Sequence, residues 1–141
     1  MYFMKEKQGK NNMKFIATQK APQAIGPYSQ AVEVNGMIYT SGQIALTPEG
    51  IMLDGNIIIQ THQVMKNLSA VLEASGSCLN DVLKTTIFLA DMNDFEKVNA
   101  IYAEYFGEHK PVRSTVAVKT LPKNALVEID CIAVVGADYS Y

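Results

Sequence analysis

The fold is decided by the stretch Leu126-Val127-Glu128-Ile129-Asp130-Cys131-Ile132-Ala133-Val134-Val135 near the end of the chain. Its β-branched residues predict a strand, in which successive side chains point to opposite faces of a sheet. Apolar side chains then fall on both faces, with Leu126, Ile132 and Val134 on one and Val127, Ile129, Cys131, Ala133 and Val135 on the other. Both faces of this strand must therefore be covered over part of its length.

The rest of the chain supplies short strands and two amphipathic helices. Asn35-Gly36 separates two β-like runs and predicts a hairpin, because both residues tolerate the positive φ of a type I′ turn. Apolar residues at helical spacing predict helices over 58–75 and 95–106, the first ended by Gly76 and the second opened by a capping box in which Asn93 is the cap. The further predicted strands are 15–18, 31–34, 37–41, 82–89 and 113–118.

This order of elements predicts one α+β domain with a six-stranded, mostly antiparallel sheet and two helices on one face. The domain is expected to span residues 14–141, after an N-terminal extension, residues 1–13, that is expected to be flexible and lacks the pattern of a signal peptide. Two helices leave the second sheet face uncovered, which favours association with identical subunits. The same topology, with a hairpin formed by the last two strands, is expected to bring Glu128 near Arg113.

Composition excludes several classes of function. A net charge of −2 without a basic excess gives no support for binding nucleic acid or an anionic membrane. Two cysteines cannot form a disulfide framework, so a reducing, cytoplasmic location is expected. No Gly-rich loop follows a strand, and His62 and His109 are isolated, which favours solvated or capping roles. We therefore expect neither a metal nor a cofactor.

Two groups remain that could carry chemistry. Arg113 is the only arginine in the chain, and its guanidinium offers a fork of donors that fits a carboxylate or phosphate. Glu128 and Asp130 share one face of an otherwise apolar strand, where a carboxylate is costly unless paired or hydrated. A surface arginine and a solvated strand end would explain these residues equally well. From the residues alone, the functional and the structural interpretations stay open.

Five ordered motifs together resemble the RidA/YjgF family. They are Ile25-Gly26-Pro27-Tyr28-Ser29-Gln30-Ala31, Thr40-Ser41-Gly42-Gln43-Ile44, Asn93-Asp94-Phe95 with Val98-Asn99, Pro111-Val112-Arg113-Ser114, and Leu121-Pro122-Lys123 with Val127-Glu128-Ile129-Asp130. The resemblance runs from about Lys14 to Val135. It implies a chorismate-mutase-like fold, related to the ferredoxin-like fold, and a homotrimer with clefts between subunits. It also implies hydrolysis of reactive 2-imino acids such as 2-iminopropanoate and 2-iminobutanoate to 2-oxo acids and ammonia.

The resemblance also assigns roles to individual residues. Arg113 corresponds to the carboxylate-binding arginine and Glu128 to the water-activating glutamate, while Tyr28, Ser41 and Asn99 correspond to further positions of the cleft. Thr115 is a departure, because many members of the deaminase branch have cysteine there; its small polar side chain is expected to be tolerated at the substrate site.

Two other functions remain open. One is ribonuclease activity or translation inhibition, which is attributed to some members of the family, and the weak net charge argues against it here. The other is a non-catalytic protein that binds a small carboxylate as a regulator. The presence of Glu128 beside an anion-binding arginine favours catalysis, since a binder needs only the arginine.

Overall fold

The computed structural model describes residues 5–6 and 12–136. Its strands and helices are β1 (Lys5–Glu6), β2 (Lys14–Ile16), β3 (Ala31–Val34), β4 (Met37–Thr40), α1 (Ile57–Ala74), β5 (Val82–Leu89), α2 (Phe95–Phe106), β6 (Val112–Ala117) and β7 (Val127–Val134). They form one sheet in the order β1-β2-β3-β4-β7-β5-β6. All neighbouring strands are antiparallel except β5 and β6, which are parallel.

The six strands β2–β7 and the two helices confirm the predicted fold class. β1 belongs to the N-terminal extension and pairs with β2. Residues 1–4 and 7–11 of the extension lie outside the described residues, so the flexibility of the extension and the domain boundary at residue 14 stay predictions. Among the described helices, none is both long and apolar enough to cross a membrane.

Local sequence explains most element boundaries. The hairpin between β3 and β4 turns at Asn35 and Gly36, whose φ angles are 53° and 79°, which confirms the type I′ prediction. Asn56 accepts a hydrogen bond from the backbone N–H of Ile59 at 3.0 Å and caps α1. Gly76, with φ of 78°, follows the end of the same helix, as expected.

The prediction that Asn93 caps the second helix is wrong. Residues 92–94 form a 3₁₀ turn, and it is the Asp91 side chain that accepts the N–H of Asn93, at 2.9 Å. α2 begins only after Asp94, whose side chain makes no capping hydrogen bond. A capping side chain is therefore present in this region, but it is Asp91, two residues before Asn93, and it caps the 3₁₀ turn that precedes the helix.

Both helices pack on one face of the sheet, which we call the helix face. The buried core between them includes Val64, Leu68 and Leu72 from α1, Val98 and Phe106 from α2, and Ile87, Val127, Ile129 and Ala133 from the strands. No described helix packs on the opposite face, which we call the open face. It exposes large apolar side chains, among them Tyr39, Val112 and Val116.

The expected hairpin between the last two strands is wrong. β7 lies between β4 and β5, and β6 pairs only with β5 at the edge of the sheet. The connection from β5 through α2 to β6 is a crossover, which places β6 parallel to β5. The chain then passes over β5 before entering β7, so neighbours in sequence are not neighbours in the sheet.

Candidate active site

A cavity of about 500 Å³ lies beside the first half of β7. Its wall includes Tyr28, Ser41 and Glu128, three of the residues to which the sequence assigned a role. Gly42 and Lys123 also line it. The cavity is large enough for a small metabolite.

The Glu128 carboxyl group is held in a setting that favours its protonated form. It points to the open face, where burial raises its pKa and the nearby Asp130 raises it further. Within the described part of the chain, the Glu128 carboxyl group forms no hydrogen bond or ion pair. A half-buried, unpaired carboxylate with a raised pKa is a stronger base than a solvated one and is therefore better suited to accept a proton from water.

Asp130, on the same face as Glu128, is less suited to this role. Burial raises the pKa of Asp130 as well, but the positive charge of Lys84 on β5 opposes this effect. The two carboxylates therefore differ because one has a cation nearby. This difference favours Glu128 as the proton acceptor.

Gly42 packs directly against the Glu128 carboxylate. A Cβ atom at this position would come within 2.1 Å of Oε2 and 2.8 Å of Cδ of Glu128. The contact is fixed by the backbone, because Gln43 and Ile129 exchange two hydrogen bonds, of 2.9 and 3.1 Å. The carboxylate thus occupies the space that any other residue at position 42 would need.

Ser41 and Tyr28 belong to the other wall of the cavity. The Ser41 hydroxyl donates a hydrogen bond to the carbonyl of Ser29, and its backbone N–H donates to the carbonyl of Gln30 at 2.9 Å. Because its hydroxyl is used in this way, Ser41 holds the loop before β3 against the end of β4. Tyr28 is exposed at the cavity rim.

Arg113 lies on β6 and points to the helix face, where one side of its guanidinium contacts α2. Nη1 donates to the side-chain oxygen of Asn99 at 2.7 Å. The Cζ atom lies 5.1 Å from the ring centroid of Tyr102 and 5.5 Å from that of Phe95. The Tyr102 ring is itself fixed by a 2.7 Å hydrogen bond between its hydroxyl and that of Thr85. These contacts orient the guanidinium and leave donors available.

The charge of Arg113 has no carboxylate partner within the described part of the chain, where one ion pair, between Lys14 and Glu33, is formed. An exposed, oriented and unneutralised guanidinium is a suitable site for an anion. Thr115 lies on the same side of β6 as Arg113, and its buried hydroxyl oxygen has no hydrogen-bond partner among the residues that the structure describes. A ligand at Arg113 would lie next to this strand segment.

The predicted site residues form two groups on opposite faces of the sheet. Arg113 pairs with Thr85, which pairs with Cys131, so all three point to the helix face. Glu128 lies three residues before Cys131 on the same strand, and because side chains alternate along a strand it points to the open face. The expectation that one subunit brings Glu128 close to Arg113 is therefore wrong. Arg113, Asn99 and Thr115 form one group, and Tyr28, Ser41 and Glu128 form the other.

The two histidines have structural partners. His62 Nδ1 lies 2.9 Å from the hydroxyl of Tyr105 and links α1 to α2. His109 Nε2 donates to the carbonyl of Val82 at 2.7 Å. The sequence predicted solvated or capping roles for both, whereas His62 contacts a side chain of α2 and His109 contacts the backbone of β5. Among the described residues, no group of three or more His, Cys, Asp and Glu side chains is arranged to hold a metal ion.

Two residues of the site were not predicted to have a role. Gly42 was quoted only as part of a motif, and its contact with Glu128 depends on the pairing of distant strands. Gln30 is buried and lines the same cavity. The only sequence signal for Gln30 was indirect: a glutamine directly before a predicted strand, at the end of a loop that contains proline and glycine.

Comparison with known proteins identifies the family of the chain. The sequence profile of the endoribonuclease L-PSP family matches residues 18–135. The chain belongs to this L-PSP (YjgF/RidA) family. Members of the family include a RutC family protein from Synechocystis, 54% identical over 125 residues, which cover 86% of this chain and 96% of the relative. Another is the 2-iminobutanoate/2-iminopropanoate deaminase of Mus musculus, 50% identical over 124 residues, 87% of this chain and 92% of the relative.

A solved structure of an L-PSP family member has the same fold. The crystal structure of Escherichia coli TdcF with bound serine superposes with a TM-score of 0.82 at 41% identity, covering 85% of this chain and 97% of that one. The family assignment inferred from five motifs is thus confirmed over nearly the whole described domain. Names within the family differ, since the profile is named for an endoribonuclease and the mouse protein for a deaminase.

Proposed function

We propose that this protein hydrolyses reactive 2-imino acids, such as 2-iminopropanoate and 2-iminobutanoate, to 2-oxo acids and ammonia. The observation that carries the proposal is the unpaired, half-buried Glu128 carboxyl with a raised pKa in the wall of a cavity that fits a small metabolite. The name of the mouse relative supports the reaction. The serine bound to TdcF supports a ligand with an α-carboxylate.

The site is composite, formed where subunits of a homotrimer meet. Arg113 and Glu128 point to opposite faces of one sheet, so they can act on one small molecule only if different copies supply them. The open face, with exposed Tyr39, Val112 and Val116, also requires a partner, because such an apolar surface is unfavourable in water. In a symmetric assembly, one interface can both cover the open face and bring Arg113 of one copy to Glu128 of the next.

The reaction follows from the chemistry of the two half-sites. The substrate carboxylate binds the free donors of Arg113, which Asn99 holds in place, and this contact fixes the position of the C=N carbon. Glu128 of the neighbouring copy accepts a proton from water as the oxygen attacks that carbon. Transfer of protons to nitrogen then breaks the C–N bond, releasing ammonia and the 2-oxo acid. Base catalysis of this kind contributes roughly 10²–10⁴-fold.

Mixing two inactive variants tests the composite site. We expect Arg113→Ala and Glu128→Gln each to lose imine turnover, measured with a dehydratase that generates the imine in the assay. Subunits of the two variants, unfolded, mixed in equal amounts and refolded, should regain about a quarter of native activity, because random mixing gives that share of intact sites. As a control, Arg113→Ala is mixed with the double variant, which should restore nothing. Mixed assemblies without recovered activity would contradict a site shared between copies.

The name of the family favours a second candidate, ribonuclease activity. The net charge of −2 gives little attraction for a polyanion. A titration of RNA binding against salt distinguishes the two functions, because phosphate contacts make affinity fall steeply as salt rises. Tight, salt-sensitive RNA binding by the native protein would favour the ribonuclease.

A further inference from the structure

The loop between β2 and β3 carries Tyr28 to the rim of the cavity. We call its outer part, residues 23–28, the Tyr28 arm. Most of its side chains are exposed, including Ile25 and Tyr28. Two of its hydrogen bonds are internal: Tyr28 N–H donates to the carbonyl of Gly26 at 2.8 Å, and the N–H of Ile25 lies 3.5 Å from the Tyr28 hydroxyl. One exposed contact leaves the arm, from Gln23 Nε2 to the Thr18 carbonyl at 3.1 Å. The arm itself therefore has little to hold it in position.

The arm borders empty space on two sides. One is the cavity that contains Glu128, and the other is a smaller hollow of about 230 Å³ lined in part by Ile16, Ala24 and Tyr28. Because packing does not fix the Tyr28 ring from either side, its position must be set by the ends of the loop.

One buried side chain, that of Gln30, holds the first end of this loop. Gln30 is only 3% exposed. Its Oε1 accepts the N–H of Thr18 at 2.7 Å, and its Nε2 lies within 3.1 Å of the Thr18 carbonyl and 2.7 Å of the Pro22 carbonyl. A longer contact of 3.4 Å reaches the carbonyl of Ala21. Both ends of the amide are thus used on the backbone of residues 18–22.

The second end of the loop is held next to the same residue. Ser41 donates to the carbonyls of Ser29 and Gln30, which attaches the end of the loop to β4. The Gln30 backbone and side chain together therefore close residues 18–30 into one ring of contacts, from which the Tyr28 arm projects. Loss of the side-chain contacts would open this ring at one end.

We propose that Gln30 is a positioning residue that sets the Tyr28 arm against the substrate cavity. The inference rests on the proposed function, because the arm matters to turnover only if the cavity binds the imino acid. Gln30 itself contacts the backbone and not the reacting atoms. Its effect is to order the arm before substrate binds, so that binding does not have to supply that ordering.

The variant Gln30→Met keeps the length of the side chain and removes its hydrogen bonds. We expect amide hydrogen exchange in residues 23–28 to become at least about tenfold faster, while exchange in α1 stays unchanged. We expect KM for the imino acid to rise about tenfold while kcat stays within about twofold. The reason is that a disordered arm must become ordered when substrate binds, which weakens binding and leaves the chemical step unchanged. Gln30→Glu, which keeps the acceptor and loses the donors, should give a smaller increase in exchange and serves if Gln30→Met does not fold.

A double-variant cycle separates positioning from a general loss of stability. If Gln30 acts through the arm, Gln30→Met should change KM little in a Tyr28→Ala background. Ser75→Ala is the matched control, because it removes a buried 2.9 Å hydrogen bond, to the carbonyl of Val71, at the end of α1. It should leave KM and exchange in the arm unchanged.

The outcomes also distinguish this inference from the proposed function. Absence of imine turnover in the native protein would reject the proposed function, while the exchange measurement would still test whether Gln30 holds the Tyr28 arm. Unchanged exchange in residues 23–28 would overturn the proposal. Faster exchange with an unchanged KM, or equal effects of Gln30→Met with and without Tyr28, would overturn it too.

Discussion

Replacement of Gly42 by alanine is expected to displace the Glu128 carboxylate without disturbing the fold. The added Cβ would lie 2.1 Å from Oε2 and 3.0 Å from Cγ of Glu128, whereas ordinary contacts of a Cβ atom begin near 3.4 Å. The carboxylate must therefore move by more than about 1 Å, a misplacement that can reduce a reaction rate on the order of 10²-fold. Gly42 does not have a positive φ, so alanine is compatible with its backbone.

The assay compares kcat for imine hydrolysis with thermal unfolding of the same variant. We expect Gly42→Ala to lower kcat by about 10²-fold while the melting temperature stays level or rises slightly, because alanine reduces the entropy of the unfolded chain. Gly55→Ala is the matched control, since its Cβ would meet the flexible end of Ile59 at 2.9 Å, away from the cavity. If Gly42→Ala retains kcat within about twofold, the position of Glu128 does not determine the rate, and its role as the base is refuted.

Three further predictions concern the charges and the open face. Asn99→Asp should raise KM at least about tenfold in steady-state assays, because a carboxylate 2.7 Å from Nη1 of Arg113 competes with substrate; an unchanged KM would contradict the role of Arg113. Glu128→Gln should raise the melting temperature near neutral pH and have little effect in acid. Folding raises the pKa of the Glu128 carboxyl, so its contribution to stability is present below the unfolded pKa and is lost as pH rises through the folded pKa. Glutamine has no charge to lose or gain, so it avoids that loss. A melting curve shift that is independent of pH would contradict this explanation. Tyr39→Asp places a charge on the open face and should lower the mass of the assembly in solution, measured by light scattering; an unchanged mass would argue that this face is not the interface.

The sequence predicted those parts of the fold that depend on local chemistry. The turn at Asn35 and Gly36 could be predicted because few residue types adopt two successive positive φ angles. The pairing of β6 could not be inferred from the short connection to β7, since strand order depends on the whole sheet. A helix between β5 and β6 was the available signal, because a strand–helix–strand unit places its strands parallel.

The site was predicted in its residues but not in its arrangement. Arg113 could be singled out because it is the only arginine, and Glu128 because it lies in an apolar strand. Their separation onto two faces depends on the register across β5, which periodicity within one strand does not reveal. The homotrimer, the cytoplasmic location and the absence of a cofactor stay predictions.

The two-faced arrangement links the reactivity of Glu128 to assembly. In one subunit the carboxyl is half-buried, and its raised pKa comes first from that burial. A second copy placed over the open face would remove more water from the same carboxyl and raise its pKa further. If the same contact brings Arg113 of that copy to the cavity, its guanidinium offers the substrate carboxylate a partner, and the bound carboxylate offsets its charge near Glu128. Under the proposed function, burial of the apolar face would stabilise the assembly and would also make Glu128 a stronger base, so that association of subunits and catalysis would depend on one surface.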